Sequence, residues 1–282
     1  MDGRNKKKKR KNRIETIVFF SVLFVLAVWT LLSFIPLKDE KSLDLIDGEG
    51  KNVRVLLITD LHSCYYGKDQ KTLIRMIDKA KPDIVMLGGD FFDDKLDDKN
   101  AKIVAEYIAE RYPCFYVTGN HEYWSERVTE MKSYMKDIGI NVLEGSCVTI
   151  DVNGCPVDVC GVDDPTRLKN SEWRAQLKNA YSKTDDSHLK LLLSHRPEPV
   201  DEYAKFDFDL IMAGHAHAGQ FRIPFLNRGM YAPNQGFMAR YVDGTYELSN
   251  GSLMEVSRGL ARESTPLPRF FNNPEIVVLN IH

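Results

Sequence analysis

Five apolar segments of the chain each end in a short polar motif. They cover residues 53–59, 84–87, 115–118, 189–194 and 210–213. The motifs that close them are Asp-x-His, Gly-Gly-Asp, Gly-Asn-His-Glu, a single histidine and Gly-His-Ala-His. Helical spacing marks four further stretches, at about 69–80, 97–111, 124–138 and 171–182. This alternation predicts an α/β fold of buried sheets covered by helices, with ligand groups gathered at the carboxyl ends of the strands.

The histidines of the chain are concentrated in these motifs. Five of the seven lie there, and the exceptions are His188 and His282. One histidine after a strand is usually an ordinary surface or core residue, but five in such motifs are hard to explain by chance. We therefore predict a metal site built from Asp60, His62, Asp90, Asn120, His195, His215 and His217. Glycines at 88, 89, 119 and 214 are expected to let the backbone approach closely at this site.

The ligand types indicate both the metals and the chemistry. Imidazole suits zinc and iron, whereas carboxylate suits harder ions such as manganese, so the mixed set predicts two borderline divalent ions. Asp90 can bridge them with its two oxygens, and Asn120 adds a neutral oxygen. Such a pair activates a shared water for direct attack on a phosphoryl group. His121 is then expected to assist the leaving group, while Asp93 is either the carboxylate that orients His121 or a solvated acid.

The N-terminal segment is basic and precedes a long apolar run. Residues 1–15 hold eight lysine and arginine residues against Asp2 and Glu15, a net charge of +6. The 21 residues from Ile17 to Leu37 carry no charge, which is close to the roughly 20 helical residues that span a bilayer. A basic cluster alone would also suit nucleic acid. The apolar run beside it favours a membrane instead, and no nucleic-acid partner is expected.

These features divide the chain into four parts. We predict a basic cytoplasmic segment over 1–15, a transmembrane signal anchor over 16–37, a polar linker over 38–51 and a catalytic domain over 52–282. Positive residues before the span favour a cytoplasmic N-terminus, so a single-pass cell-membrane protein with an extracytoplasmic domain is expected. A cleaved signal peptide is the alternative, but its apolar stretch is usually about 7–15 residues and ends at a small-x-small site. Residues 33–36 offer no such site.

The five cysteines include no CxxC pair, so the sequence predicts neither a zinc knuckle nor a disulfide framework. Cys114 lies in an apolar run and is expected in the core. Cys155 and Cys160 leave two alternatives open. They form a disulfide outside the cell, or they occupy alternate positions of a short strand or hairpin.

The polar motifs resemble those of the calcineurin-like metallophosphoesterases, and more narrowly the bacterial branch with an N-terminal membrane segment or export signal. The similarity covers about residues 52–282. It rests on D-L-H at 60–62, G-G-D-F-F-D at 88–93, G-N-H-E at 119–122, S-H-R-P at 194–197 and G-H-A-H-A-G-Q at 214–220. It continues in S-R-G-L at 257–260, P-L-P-R-F at 266–270 and N-P-E-I at 273–276.

The resemblance implies a four-layer αββα sandwich of two mixed β-sheets flanked by helices. It also implies two ligand sets that share Asp90. One ion would be held by Asp60, His62, Asp90 and His217, and the other by Asp90, Asn120, His195 and His215. His121 would be the catalytic histidine, and the metals would be drawn from manganese, zinc and iron.

The chain departs from the family pattern at a few positions. Asp93-Asp94 stands where many relatives have Asp-Arg, so a phosphate contact from that arginine is missing. Ala216 and Ala218 differ from the common Gly-His-Thr-His-Gly-Gly, but neither change removes a ligand. Arg258 is either a contact for substrate phosphate or an ordinary surface arginine.

The sequence therefore predicts a membrane-anchored phosphoesterase with two metals. It would hydrolyse phosphomonoester, phosphodiester or pyrophosphate bonds by attack of a metal-bridging hydroxide, with lipid-linked or cell-envelope phosphates as candidate substrates. The alternative is a metal-bound scaffold that recruits a partner at the membrane without catalysis. Four aromatic residues near the site motifs either line a substrate pocket or pack in the core: Phe91, Phe92, Tyr123 and Trp124.

Overall fold

A computed structural model describes residues 2–46, 50–222, 228–262 and 269–282, without the side chains of 2–10 and 31. The basic side chains before residue 11, part of the predicted linker and residues 266–268 of P-L-P-R-F lie outside this description. The helices are α1 (Asp2–Leu32), α2 (Lys71–Ala80), α3 (Lys99–Ala109), α4 (Asn120–Trp124), α5 (Val128–Asp137), α6 (Asn170–Tyr181) and α7 (Val200–Tyr203). The helices α2, α3, α5 and α6 confirm the four predicted helical stretches.

Fourteen strands are present in the described residues. They are β1 (Leu37–Leu43), β2 (Val53–Ile58), β3 (Ile84–Gly88), β4 (Cys114–Val117), β5 (Asn141–Val142), β6 (Ser146–Val152), β7 (Cys155–Gly161), β8 (Leu189–Leu193), β9 (Leu210–Ala213), β10 (Gly229–Ala232), β11 (Gly236–Ala239), β12 (Gly244–Glu247), β13 (Leu253–Val256) and β14 (Glu275–Ile281). The five predicted strands are β2, β3, β4, β8 and β9, within one or two residues at each end.

The strands form two six-stranded mixed sheets and one hairpin. The first sheet has the order β1-β14-β2-β3-β4-β5, and the second has the order β12-β13-β9-β8-β7-β6. The remaining pair, β10 and β11, is an antiparallel hairpin. Within each sheet the central strands that precede the polar motifs run parallel. Their carboxyl ends therefore meet at one edge of each sheet.

Alternating side chains divide the core into three layers. In β2, Val55 and Leu57 lie in a cluster between the two sheets, whereas Leu56 and Ile58 lie in a cluster with the helices outside the first sheet. A third cluster fills the space between the second sheet and α6, around Trp173. The period of two in a strand produces this division, because successive side chains point to opposite faces. The arrangement confirms the predicted αββα sandwich.

The N-terminal helix is longer than the predicted span at one end and shorter at the other. Residues Lys11–Thr30 of α1 are long and apolar enough to cross a membrane and are not buried against the domain. The helix ends at Leu32, although the predicted span continues to residue 37. Pro36 explains the early end, since a proline disfavours helical geometry in the residue before it.

The linker prediction is wrong for residues 38–43. These residues belong to β1, which pairs in parallel with β14 at the edge of the first sheet. Their charged side chains suit an exposed edge strand, where charge discourages pairing with other molecules. Lys41 also forms an ion pair with the buried Glu255 of the second sheet. The segment after α1 is thus part of the domain rather than a tether.

A disulfide joins Cys147 and Cys160, which face each other across β6 and β7. The alternative that paired Cys155 with Cys160 is therefore wrong. Both residues do lie on one short strand, but they are five residues apart and face opposite sides of the sheet. Cys155 is a buried free thiol. Cys114 is a buried free thiol as well, as expected for a core position.

Candidate metal centre

The carboxyl ends of five strands bring all seven predicted ligands together. Asp60 and His62 follow β2, and Asp90 follows β3, while the others follow β4, β8 and β9. All seven residues are buried. Five of them adopt positive φ, a conformation that costs free energy outside glycine and is concentrated at functional sites: Asp60, His62, Asp90, His215 and His217.

The ligand atoms form two neighbouring groups. Atoms of Asp60, His62 and His217 lie within 4.8 Å of one another, and so do atoms of Asp90, His195 and His215. Asp90 lies between the groups, because its Oδ2 is 3.6 Å from His62 Nε2 and 3.2 Å from His195 Nε2. One carboxylate oxygen therefore faces both groups, as the predicted bridging role requires.

Three buried ligand atoms have no hydrogen-bond partner among the described residues. They are His62 Nε2, Asn120 Oδ1 and His217 Nδ1. A buried polar atom without a partner carries a free-energy cost of roughly 1–3 kcal/mol. A bound cation would remove that cost, since nitrogen and oxygen lone pairs are what it coordinates. The residues present therefore fit a metal centre.

The ring nitrogens that face away from the centre are held by hydrogen bonds. His62 Nδ1 lies 3.0 Å from Asp93 Oδ2, and His195 Nδ1 lies 2.9 Å from the carbonyl oxygen of Gly88. His215 Nε2 lies 2.9 Å from Oδ1 of Asn234. Such outer contacts fix the tautomer and orientation of a histidine ligand and leave its other nitrogen for the metal.

His121 lies at the edge of the centre and contacts two acids. Its Nδ1 is 2.7 Å from Asp94 Oδ1 and 3.4 Å from Asp93 Oδ2. Burial opposes charge on the ring, but the hydrogen bond to Asp93 and the charge of Asp90 raise the pKa of His121 to about 9. Asp93 is buried and is not a solvated acid. Its shorter contact is with His62, so Asp94 is the closer partner of His121.

Two histidines of the second group have opposite charge preferences. Burial opposes a proton on His195, but the adjacent Asp90 outweighs it and raises the pKa of His195 to about 10. Burial and the charge of His195 lower the pKa of His215 to about 3. Without a cation, a proton on His195 therefore compensates the buried Asp90, and His215 stays neutral. A divalent ion held by these residues would supply the same compensation without that proton.

Glu122 was not among the predicted site residues, yet it organises the loops that carry two ligands. Its buried carboxylate accepts hydrogen bonds from the backbone N–H groups of Asp90, Phe91, Phe92 and Gly119. Burial and the charge of Asp90 raise the pKa of Glu122 to about 7. The signal in the sequence is its position three residues after Gly119, where a carboxylate can cap the short helix.

Arg196 also supports the site without being predicted. It forms a bidentate pair with Asp164, with Nε–Oδ2 and Nη2–Oδ1 distances of 2.7 and 3.0 Å. Both side chains are buried, and the pair fixes the loop next to His195. Arg258 forms ion pairs with Asp243 and Glu275. It is therefore a half-buried member of an ion-pair network and not an ordinary surface arginine.

The glycines of the motifs confirm the expected close approach. A Cβ added at Gly89 would lie 2.6 Å from His195 Nδ1, and one at Gly119 would lie 2.2 Å from Asp90 Oδ1. A Cβ at Gly214 would lie 2.4 Å from Asp60 Oδ2. Among the aromatic residues, Phe91 and Phe92 are fully buried core residues. Trp124 is exposed and contacts the ring of His121.

The chain is similar in sequence to known metallophosphoesterases. Residues 53–219 match the calcineurin-like phosphoesterase family. A metallophosphoesterase of Campylobacter jejuni is 30% identical, over 98% of this chain and 73% of its own length. A metallophosphoesterase of Helicobacter pylori is 28% identical, over 84% of this chain and 61% of its own length. A transmembrane protein with a metallophosphoesterase domain from Bos taurus is 27% identical, over 81% of this chain and 52% of its own length.

The chain thus spans less than two thirds of the Helicobacter and bovine proteins. The family match nevertheless covers more than half of this sequence and includes all seven predicted ligand positions. The family match, the fold and the clustered carboxylate and imidazole groups agree on a candidate metal centre. The chain belongs to the calcineurin-like phosphoesterase family.

Proposed function

We propose that the chain is a membrane-anchored phosphoesterase that works with two divalent ions drawn from manganese, zinc and iron. The first ion would be held by Asp60, His62, Asp90 and His217, and the second by Asp90, Asn120, His195 and His215. The partnerless buried atoms on His62, Asn120 and His217 carry this proposal. Ions bound there activate water and neutralise charge on the phosphoryl oxygens.

The chain's own groups orient the reactants and handle the proton. Asp93 and Asp94 hold the Nδ1 side of His121, which leaves its Nε2 to serve the leaving-group oxygen. Burial opposes a proton on His121, but the adjacent carboxylates raise its pKa and favour the protonated ring. His121 therefore acts as the general acid, and the two acids are positioning residues.

Three observations support an anchored domain outside the cytoplasm. Residues Lys11–Thr30 suit a membrane span, and basic residues precede it. The Cys147–Cys160 disulfide suits an oxidising compartment. The bovine relative is a transmembrane protein. The substrate would then be a phosphomonoester, phosphodiester or pyrophosphate of a lipid-linked or cell-envelope molecule.

The activity is tested on the purified full chain with aryl phosphate monoesters and diesters and defined metals. Asp90→Asn and His195→Ala should abolish turnover and lower the bound metal measured by mass spectrometry. His282→Ala is the matched control, because this exposed histidine lies outside the centre. Undiminished turnover in both site variants would exclude the proposed mechanism.

The topology is tested separately in intact cells. A protease added outside should digest the domain and spare the residues before the span. Complete protection of the domain, together with digestion after the cells are opened, would show that the orientation is inverted.

A further inference from the structure

We propose that the β10–β11 hairpin docks on the bilayer surface, so that the metal centre acts on phosphate esters held at a lipid surface. The inference rests on the proposed function for its substrate class. The docking itself rests on the exposed surface of the hairpin and on the proposed membrane span. Four exposed side chains carry it: Met230, Tyr231, Phe237 and Met238.

The hairpin is apolar on a surface where apolar side chains are otherwise few. Phe237 is 79% exposed, Tyr231 48%, Met238 45% and Met230 41%. No charged residue occurs from 229 to 239, and an exposed arginine stands on each side, at 228 and 240. An apolar tip with flanking cations is the composition of elements that bind at a lipid interface.

The other exposed large apolar side chains of the described domain lie on the same face. In the described part of the chain after Leu37, the exposed large apolar side chains are the four of the hairpin together with Tyr65 and Trp124. Trp124 contacts His121 at the metal centre. Tyr65 lies just beyond the Asp60-x-His62 motif, and its carbonyl oxygen accepts a hydrogen bond from Arg262. These exposed apolar side chains therefore lie on elements that adjoin the metal centre.

The proposed membrane helix reaches the domain at this face. Strand β1 begins opposite Glu275, and β14 pairs antiparallel with β2, so α1 ends beside the carboxyl end of β2. Asn273 Nδ2 donates to the carbonyl oxygens of Leu32 and Ile35 at 2.7 and 3.0 Å. Trp29, near the end of the span, contacts the ring of Phe271 at 4.8 Å between centroids.

A short series of contacts joins this helix end to the hairpin. Phe271 contacts Phe270, which stacks on Phe221 at 4.7 Å. The backbone of Phe221 accepts a hydrogen bond from the N–H of Met230 in β10. Tryptophan at the end of a membrane helix lies at the level of the lipid headgroups. The hairpin is therefore held close to the same level.

The hairpin is also joined directly to the metal centre. Asn234 lies in the turn between β10 and β11, and its side-chain oxygen forms a hydrogen bond with Nε2 of His215. Gly219 and Gly229 pack backbone to backbone, since a Cβ added at Gly219 would lie 2.3 Å from the Cα of Gly229. A bilayer that holds the hairpin thus holds the centre at headgroup depth. A phosphate ester with a lipid tail is the substrate that such a position favours.

The docking is tested with the full chain reconstituted in vesicles that contain acyl-chain brominated phosphatidylcholine. Phe237→Trp adds an indole at the tip of the hairpin. Lys183→Trp adds one at an exposed position near the amino ends of β7 and β8, away from the site. Bromine in both leaflets makes the orientation of insertion unimportant. The wild type already contains three tryptophans. Subtracting its fluorescence from that of each variant gives the signal of the added indole.

We expect bromine to quench the indole at 237 strongly, at a depth of about 5–10 Å below the headgroups, and not the indole at 183. Equal quenching at the two positions, or none at either, overturns the inference. A blue-shifted but unquenched indole at 237 would mean that a second copy or another protein covers the hairpin, which overturns it as well.

The substrate class is tested with two diesters that share one scissile bond. Hexadecyl p-nitrophenyl phosphate enters the bilayer, whereas ethyl p-nitrophenyl phosphate stays in solution. The Tyr231→Ser/Phe237→Ser double variant should lose about tenfold or more of its kcat/KM on the hexadecyl ester and keep its rate on the ethyl ester. An unchanged ratio of the two rates overturns the lipid-surface assignment. A wild type inactive on both esters and also on the aryl phosphate monoesters overturns the proposed function, while the quenching still decides the docking.

Discussion

Replacing Glu122 with glutamine tests how the site loops are held together. Each carboxylate oxygen accepts two backbone N–H groups. Oε1 accepts those of Phe91 and Phe92 at 2.7 and 3.0 Å, and Oε2 accepts those of Asp90 and Gly119 at 3.0 and 2.8 Å. A glutamine side chain keeps one accepting oxygen. Its NH₂ group must then face two buried donors.

The cost follows from these two lost acceptors. A buried donor without a partner costs roughly 1–3 kcal/mol, so Glu122→Gln should lower the free energy of unfolding by roughly 2–6 kcal/mol. The loops that start at Asp90 and Gly119 also carry the bridging ligand and Asn120. We therefore expect weaker metal binding as well as lower stability.

The assay is urea unfolding of the metal-free full chain in detergent, followed by metal titration of the folded variant. It is run near pH 8, because burial raises the pKa of Glu122 to about 7 and the wild-type carboxylate must be ionised. Glu126→Gln is the matched control, since Glu126 is exposed. The control should change stability by less than about 0.5 kcal/mol.

The reasoning would be refuted by a Glu122→Gln variant as stable as the control variant. Such a result would mean that the four N–H groups find other partners or water when the carboxylate is removed. A loss of metal affinity without loss of stability would refute the magnitude but keep the role in positioning the ligands.

Three further predictions concern other parts of the fold. Gly89→Ala should lower the free energy of unfolding by more than about 2 kcal/mol, because the φ of Gly89 is +84° and the new Cβ would clash with residues of the site. Gly139→Ala is the control and should lower it by about 1–2 kcal/mol, because Gly139 has φ +90° but no atom lies within 4 Å of the new Cβ. Equal losses in the two variants would contradict this prediction. Burial raises the pKa of Glu275 to about 7, so the stability that its protonated form contributes is complete below about pH 4.5 and is lost as pH rises to about 7. In Glu275→Gln, the free energy of unfolding should fall by about 2–3 kcal/mol less over this pH range than in the wild type. Parallel plots of stability against pH for the two proteins would contradict this prediction. The Cys147–Cys160 disulfide joins residues that are 13 positions apart. Its reduction should lower the free energy of unfolding by about 2–4 kcal/mol. An unchanged melting temperature in dithiothreitol would contradict this prediction.

The candidate ligands could be selected from the sequence because a metal selects side-chain types. Only a few residue types bind divalent ions, and their positions after apolar runs imply one sheet edge. The residues that support the ligands lack such a restriction. Glu122 binds backbone N–H groups, which every non-proline residue carries, and Asn234 meets His215 only through the tertiary fold. Neither contact leaves a pattern in the local sequence.

The strands also differ in how clearly the local sequence predicts them. β2 and β3 were predicted because continuous apolar runs are typical of strands buried on both faces. β1 was missed because its residues are mostly charged, and its pairing with β14 involves residues more than 200 positions later. Edge strands gain their order from a neighbour rather than from their own composition.

The position of β14 has a consequence for the order of folding. It lies between β1 and β2, the two strands nearest the start of the domain, although it follows every other strand in the chain. During synthesis, β1 cannot join the sheet until β14 has been made, and the exposed edge of β2 remains open for the same time. A chaperone that covers these two edges, or slow release from the ribosome, would therefore affect the yield of folded protein more than its final stability.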